Sequence, residues 1–130
     1  MTYRCDHLHL RSRDAVAAAR FYVEVLGARE TGRDGAPTVS RVMLDLGGLA
    51  VLIEQAPEAT GPAAVPPNLG IEHIGLRVND IEATVADLQA RGIRLVSGIT
   101  DVRPGLRIAF FDGPDNVRIE VLQRGEPVRA

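Results

Sequence analysis

The chain states one pattern twice. Asp6-His7-Leu8-His9-Leu10-Arg11-Ser12-Arg13-Asp14 returns as Glu72-His73-Ile74-Gly75-Leu76-Arg77-Val78-Asn79-Asp80, so His7 and His73, Arg11 and Arg77, and Asp14 and Asp80 are each 66 positions apart. Carried downstream, the same offset lays Arg41–Gly47 on Arg107–Gly113 and Val51–Glu54 on Val117–Glu120. Over positions 7–14 and 41–55, nine of 23 residues are identical at that spacing. A repeat of this length in 130 residues restricts the fold to two copies of one small unit. A His and a Glu hold the same place in each copy.

Each copy has the punctuation of a βαβββ module. Residues 3–13 alternate as a strand, with His7, His9 and Arg11 on one face and Leu8 and Leu10 on the other. Asp14 is a helix N-cap, and Gly27 stops that helix after Leu26. Val16, Val23 and Leu26, with Phe21 and Val25 nearby, are expected to form the helix's apolar side. A strand at 29–31, a turn at 32–35, and a hairpin of 39–46 with 49–55 across Gly47-Gly48 complete the module. In the second copy the predicted strand 71–78 leads to Asp80 as N-cap. Ile81, Val85 and Leu88 then recur on one helix face, Gly92 stops the helix, and strands are predicted at 93–99, 106–111 and 117–123. The expected organisation is module 1 over 1–56, a Pro/Ala/Gly linker over 57–70, module 2 over 71–124 and a tail over 125–130. Each module alone is too small for a core. The fold class expected is α+β, two tandem βαβββ modules whose curved mixed sheets pair into an open, barrel-like cleft.

Composition removes several functional classes. A net charge of −2 with no basic block argues against a nucleic-acid partner, and no apolar run approaches the ~20 residues of a membrane helix. One cysteine, Cys5, builds no disulfide framework, and the Met-Thr-Tyr-Arg start lacks a secretory hydrophobic core. A reducing cytoplasm is the expected compartment. All 15 basic residues are Arg, which excludes Schiff-base chemistry and a P-loop, both of which require a lysine.

The repeated polar positions point to a metal. Alternation turns His7 and His73 away from the face that packs under each helix, and it turns Glu54 and Glu120 away from Val51, Ile53, Val117 and Ile119. If two curved sheets join about a pseudo-twofold axis, two imidazoles and two carboxylates converge. Without a cation they would repel and be desolvated together. Such a set suits one divalent ion (Zn, Ni, Co, Mn or Fe) with room for water or substrate.

The patterns His-x-x-Leu-x-x-x-Asp, Phe21-Tyr22-x-x-x-Leu26-Gly27 and Gly113-Pro114-Asp115-Asn116-x-x-Ile119-Glu120 resemble the vicinal oxygen chelate superfamily over essentially the whole chain. That superfamily takes in glyoxalase I, methylmalonyl-CoA epimerase, extradiol dioxygenases, fosfomycin-resistance transferases and bleomycin-resistance proteins. The resemblance implies paired βαβββ modules, a metal held by His7, Glu54, His73 and Glu120, and a homodimer. The expected substrate is a small molecule with adjacent oxygens that bind the ion. The expected reaction is isomerisation, epimerisation or lyase chemistry, in which the metal stabilises an enolate or enediolate and Glu120, or Glu54, removes the proton. Two alternatives stay open. One is an Fe(II) extradiol-type dioxygenase using His7, His73 and Glu120; the other is a non-enzymatic drug- or metabolite-binding protein. His9, Arg11, Arg77 and Arg118 are candidate substrate contacts, the arginines for a carboxylate or phosphate.

Overall fold

The computed structural model describes residues 1–128 and divides into two compact units, Met1–Pro62 and the chain from Ala63 onward. The last two residues of the expected tail lie outside the described part. In unit 1, β1 (His7–Ser12), α1 (Ala15–Leu26), β2 (Arg29–Asp34), β3 (Arg41–Leu46) and β4 (Leu49–Gln55) form a sheet of order β1-β4-β3-β2. In unit 2, β5 (Ile74–Arg77), α2 (Ile81–Ala90), β6 (Leu95–Arg103), β7 (Leu106–Asp112) and β8 (Arg118–Arg124) form a sheet of order β5-β8-β7-β6. In each, the first strand pairs parallel with the last and the others pair antiparallel. The fold is α+β, with two βαβββ modules.

The helices start where the aspartates require. The Asp14 carboxylate accepts from the Ala17 N–H at 3.0 Å and Asp80 from Ala83 at 3.1 Å, filling one of the orphan donors of each first turn. Gly27, at φ 72°, ends α1 with its N–H on Val23 O and that of Ala28 on Tyr22 O. A second tie is the same in both units. Gln55 Oε1 accepts from the Ala15 N–H and Gln123 Oε1 from the Ile81 N–H, both at 2.9 Å, so the last strand holds the first helical residue.

The helix faces differ from each other. α2 buries Ile81, Val85 and Leu88, as the sequence predicts. α1 instead buries Ala15, Ala18, Ala19 and Tyr22, while Val23 stays 37% exposed. The expected stripe of Val16, Val23 and Leu26 is therefore corrected. Three alanines bring the α1 backbone close to the sheet, and the Tyr22 ring fills the remaining depth. Strand lengths also differ from expectation: β1 and β5 are shorter than the predicted 3–13 and 71–78, so that His73 precedes its strand. β2 runs on to Asp34 and β6 to Arg103, through residues that would otherwise be taken for turns, because long antiparallel partners are available. Among the described residues no helix is long and apolar enough to cross a membrane.

The buried residues show how the two units correspond. Ala15 and Ile81 start the helices 66 apart, but Val42 and Leu44 of β3 take the places of Ala109 and Phe111 of β7, 67 apart (109 − 42). Val51 and Ile53 of β4 take those of Ile119 and Val121 of β8, 68 apart (119 − 51). The strand registers agree. β1 pairs with β4 at a difference of 43 (50 − 7), and β5 pairs with β8 at 45 (119 − 74). Unit 2 thus gains one residue before β7 and a second in the β7–β8 connection. Leu46 pairs with Leu49 across Gly47-Gly48, whereas Asp112 pairs with Arg118 across a longer loop containing the 3-10 turn Pro114–Asn116.

Candidate functional site

In unit 2, His73 stands one residue ahead of β5, and Glu120 lies on β8 directly across from Gly75. His73 Nε2 is 3.8 Å from Glu120 Oε1. The other ring nitrogen, Nδ1, lies 3.0 Å from Glu72 Oε1. A carboxylate only accepts, so the ring donates from Nδ1 and turns Nε2 toward Glu120. Phe110, paired with Glu120 across the hairpin, meets the imidazole edge-on with centroids 5.2 Å apart. Gly75 provides the space: a Cβ there would sit 3.4 Å from Glu120 Oε1. Next to this pair is a hollow of about 290 Å3 lined by Pro66, Pro67, Asn68, Glu72 and Arg118. Arg118 is tied to Asp112 at 3.1 Å.

Unit 1 arranges the same residue types differently. His7 Nδ1 lies 2.6 Å from Asp6 Oδ2, repeating the His73–Glu72 contact. Glu54, however, faces Arg11 and not His7. Arg11 Nε donates to Glu54 Oε2 at 2.7 Å, and His9 Nε2 is 3.6 Å from Glu54 Oε1. The Arg11 hydrogen bond holds the Glu54 carboxyl below its ordinary pKa; partial burial opposes this, and the charges of Arg11, His9 and Arg41 reinforce it. Glu54 is anionic and already engaged.

The slip between the units accounts for this contrast. At the first strand the two copies match at 66, so His9 corresponds to Gly75 and Arg11 to Arg77. Their partners on the last strand are then Leu52 against Glu120, and Glu54 against Leu122. The equal spacing of Glu54 and Glu120 along the chain is not an equal place in the fold. The slip of two residues preserves strand parity, so both carboxylates still leave the helix side of their sheets. At β7 the slip is one residue and parity inverts. Arg41 lies on the Glu54 side, whereas Arg107 turns under α2, where Glu82 and Asp101 hold it at 3.2 and 3.1 Å. Those two arginines, aligned by the 66-residue offset, have opposite surroundings.

Asp6 and Glu72 are functional candidates that spacing alone did not single out. Both precede the repeated histidine, and both are 66 apart with it. The signal was present as an acidic residue before each His. Among the described residues, no three His, Cys, Asp or Glu are drawn together in a cluster that could hold an ion. The unit 2 pair nevertheless fits a metal chemically. Bonds of ~2.0–2.2 Å place two donors on one ion no more than ~4.4 Å apart, and His73 and Glu120 meet that limit at 3.8 Å. The Glu72 contact is of the kind an outer carboxylate makes with an imidazole whose other nitrogen is turned toward a metal.

Residues 4–121 match the family model described as the Glyoxalase/Bleomycin resistance protein/Dioxygenase superfamily. YwbC of Bacillus subtilis (strain 168) is 30% identical over 131 residues, spanning 95% of this chain and all of YwbC. The structure of a glyoxylase/bleomycin resistance protein/dioxygenase domain from Frankia sp. EAN1pec has a TM-score of 0.78 at 21% identity, spanning 95% of this chain and 99% of that one. FosX from Listeria monocytogenes, solved in complex with Mn(II) and sulfate ion, has a TM-score of 0.70 at 18% identity, spanning 95% of this chain and 93% of FosX. These two structures share the fold of this chain.

Proposed function

Because the chain belongs to the glyoxalase/bleomycin resistance protein/dioxygenase superfamily, we propose that it is a divalent-metal-dependent isomerase, epimerase or lyase acting on a small molecule with two neighbouring oxygens. The observation that supports this best is the His73–Glu120 pair, 3.8 Å apart over Gly75 with its imidazole steered by Glu72. In this reading His73 and Glu120 hold the ion together with His7, whose ring Asp6 steers in the same way. The two units that contribute belong to one chain or to two copies in a homodimer. When bound, the ion supplies Lewis acidity that eases removal of a carbon-bound proton next to the substrate's oxygens.

Glu54 then has a role distinct from that of Glu120. Completing a four-donor set would require its carboxylate to exchange Arg11 for the ion. Left where it is, Glu54 is an anion at neutral pH with one oxygen on Arg11 and the other near His9, and its lowered pKa makes it a weaker base than an unpaired carboxylate and better suited to holding those two side chains in place. Glu120 has no guanidinium on it among the described residues and suits the ion.

The Arg11–Glu54 bond also favours a second reading. If Glu54 stays off the ion, His7, His73 and Glu120 are a two-His, one-carboxylate set of the kind that Fe(II) oxygenases use. Elemental analysis of protein purified without added metal tests the shared premise. A bound ion that is lost in Glu120→Ala is expected; equally negligible metal in both proteins would remove the proposal. Deuterium exchange next to a carbonyl without oxygen uptake selects the proton-transfer reading, and bound iron with oxygen uptake selects the dioxygenase.

A further inference from the structure

From the slip between the units, we infer that Arg77 and Arg124 form an anchor for an anionic group on the ligand, carried at the end opposite the two oxygens that face His73 and Glu120. The inference rests on the reading of the His73–Glu120 pair given above. Arg77 repeats Arg11 in the sequence, but the strand across from it presents Leu122 where Arg11 meets Glu54. Arg11 is neutralised at 2.7 Å. Among the described residues Arg77 has no ion pair and no hydrogen-bonded side-chain partner. The same holds for Arg124, the last residue of β8, which alternation places on the face of Glu120 and Leu122.

Arg77 lies across from Leu122 and Arg124 two residues further along β8, diagonal to it on the same face, and the planar donor fork of arginine suits a carboxylate, phosphate or sulfate that both could reach. Their surroundings define the rest of the ligand. His73, Gly75 and Arg77 follow one another along one face, with ~13 Å between the first and last Cα at ~3.3 Å per residue. Gly75 leaves the middle of that run bare, and the half-buried Leu122 and Ile108, paired with each other, provide an apolar floor beside it. Arg118 on the same face is already matched by Asp112. The face therefore fits a compact organic anion with an apolar body, its adjacent oxygens toward His73 and Glu120 and its charge toward Arg77.

The test compares 3,4-dihydroxybenzoate with its uncharged analogue 3,4-dihydroxybenzamide by titration calorimetry on the full chain, with and without Mn(II). The wild type is expected to bind the acid roughly tenfold more tightly than the amide, the scale of one charge-assisted pair. Arg77→Met should bring that ratio close to one while leaving amide affinity unchanged, and Arg77→Lys should restore part of it. Equal affinities in the wild type, no binding of the acid at millimolar concentration, or a preference that survives Arg77→Met with Arg124→Met would each overturn the anchor. The metal reading fails separately. If Mn(II) changes neither affinity, yet Arg77→Met still abolishes the preference for the acid, the anchor stands and the ion falls.

Discussion

The two units are alike on one side of their sheets and different on the other. Beneath the helices the correspondence is close: an aspartate caps each helix, a glutamine from the last strand holds each first helical N–H, and aliphatic residues alternate into the core. On the opposite faces, unit 1 joins Glu54 to Arg11 and unit 2 sets Glu120 beside His73. The ties that seat each helix on its sheet recur even though the two helix faces are filled by different side chains, while the opposite faces carry different polar partners. A slip of two residues moves a carboxylate from an arginine to an imidazole without burying it, and that is the difference on which the proposed chemistry depends.

The largest effect should come from removing the carboxylates one at a time. Glu120→Ala is expected to weaken metal binding well over tenfold, and Glu54→Ala by only a few-fold, measured by competition with a chromophoric chelator. Equal losses would mean that Glu54 leaves Arg11 for the ion and that the units are functionally symmetric. Next is the glutamine tie. Gln123 is 2% exposed, and Gln123→Ala strands the Ile81 N–H, at a cost of about 1–3 kcal/mol in urea unfolding. Gln55 is exposed, so Gln55→Ala should cost less, and the reverse order would contradict the matched scaffold.

Smaller effects sharpen the contrast. Glu72→Ala is expected to weaken the ion by about tenfold, the lower end for an outer carboxylate on a ligating histidine. Asp6→Ala should do the same if His7 is a donor, and metal content unaffected by Asp6→Ala would count against His7. The smallest expected change is a titration. Glu54 should protonate below the ordinary carboxyl value of 4.5, and Arg11→Met should return it there, followed by NMR of the carboxyl carbon in metal-free protein. The folded-state pKa is the depressed one. The Arg11–Glu54 bond therefore stabilises the fold fully above the unfolded-state value, and this contribution is lost as pH falls through the lower folded value. An unmoved Glu54 in Arg11→Met would show that Arg11 is not the cause.

Much of this was legible in the chain. The offset of 66 holds through the first strand and the start of the helix of each unit, and Asp14, Asp80, Gly27 and the Ile81-Val85-Leu88 face behave as their residue types require. Alternation also reads the side of the sheet on which Glu54 and Glu120 lie, opposite the buried Ile53 and Ile119, because it reads parity. What alternation cannot read is register. A strand moved by two residues has the same pattern, and the lengths of the connections before β7 and after it settle where Glu120 comes to lie. Arg41 and Arg107 show the limit plainly, since identical residues at the repeat spacing ended on opposite sides. The α1 face was misread for another reason: alanines carry little hydrophobic signal, yet their small size is what lets that helix sit close.

The odd step at β7 bears on how such a duplicated chain could have diverged. A one-residue difference there exchanges inside for outside along the whole strand, so β7 carries its apolar residues at the alternate positions of the repeat, Ala109 and Phe111 in place of Ile108 and Phe110. The further residue in the β7–β8 connection leaves β8 with the same sidedness as β4. Arg107 is the visible cost of that exchange, a charge brought to the helix side, and Glu82 and Asp101 are the two carboxylates that compensate it there.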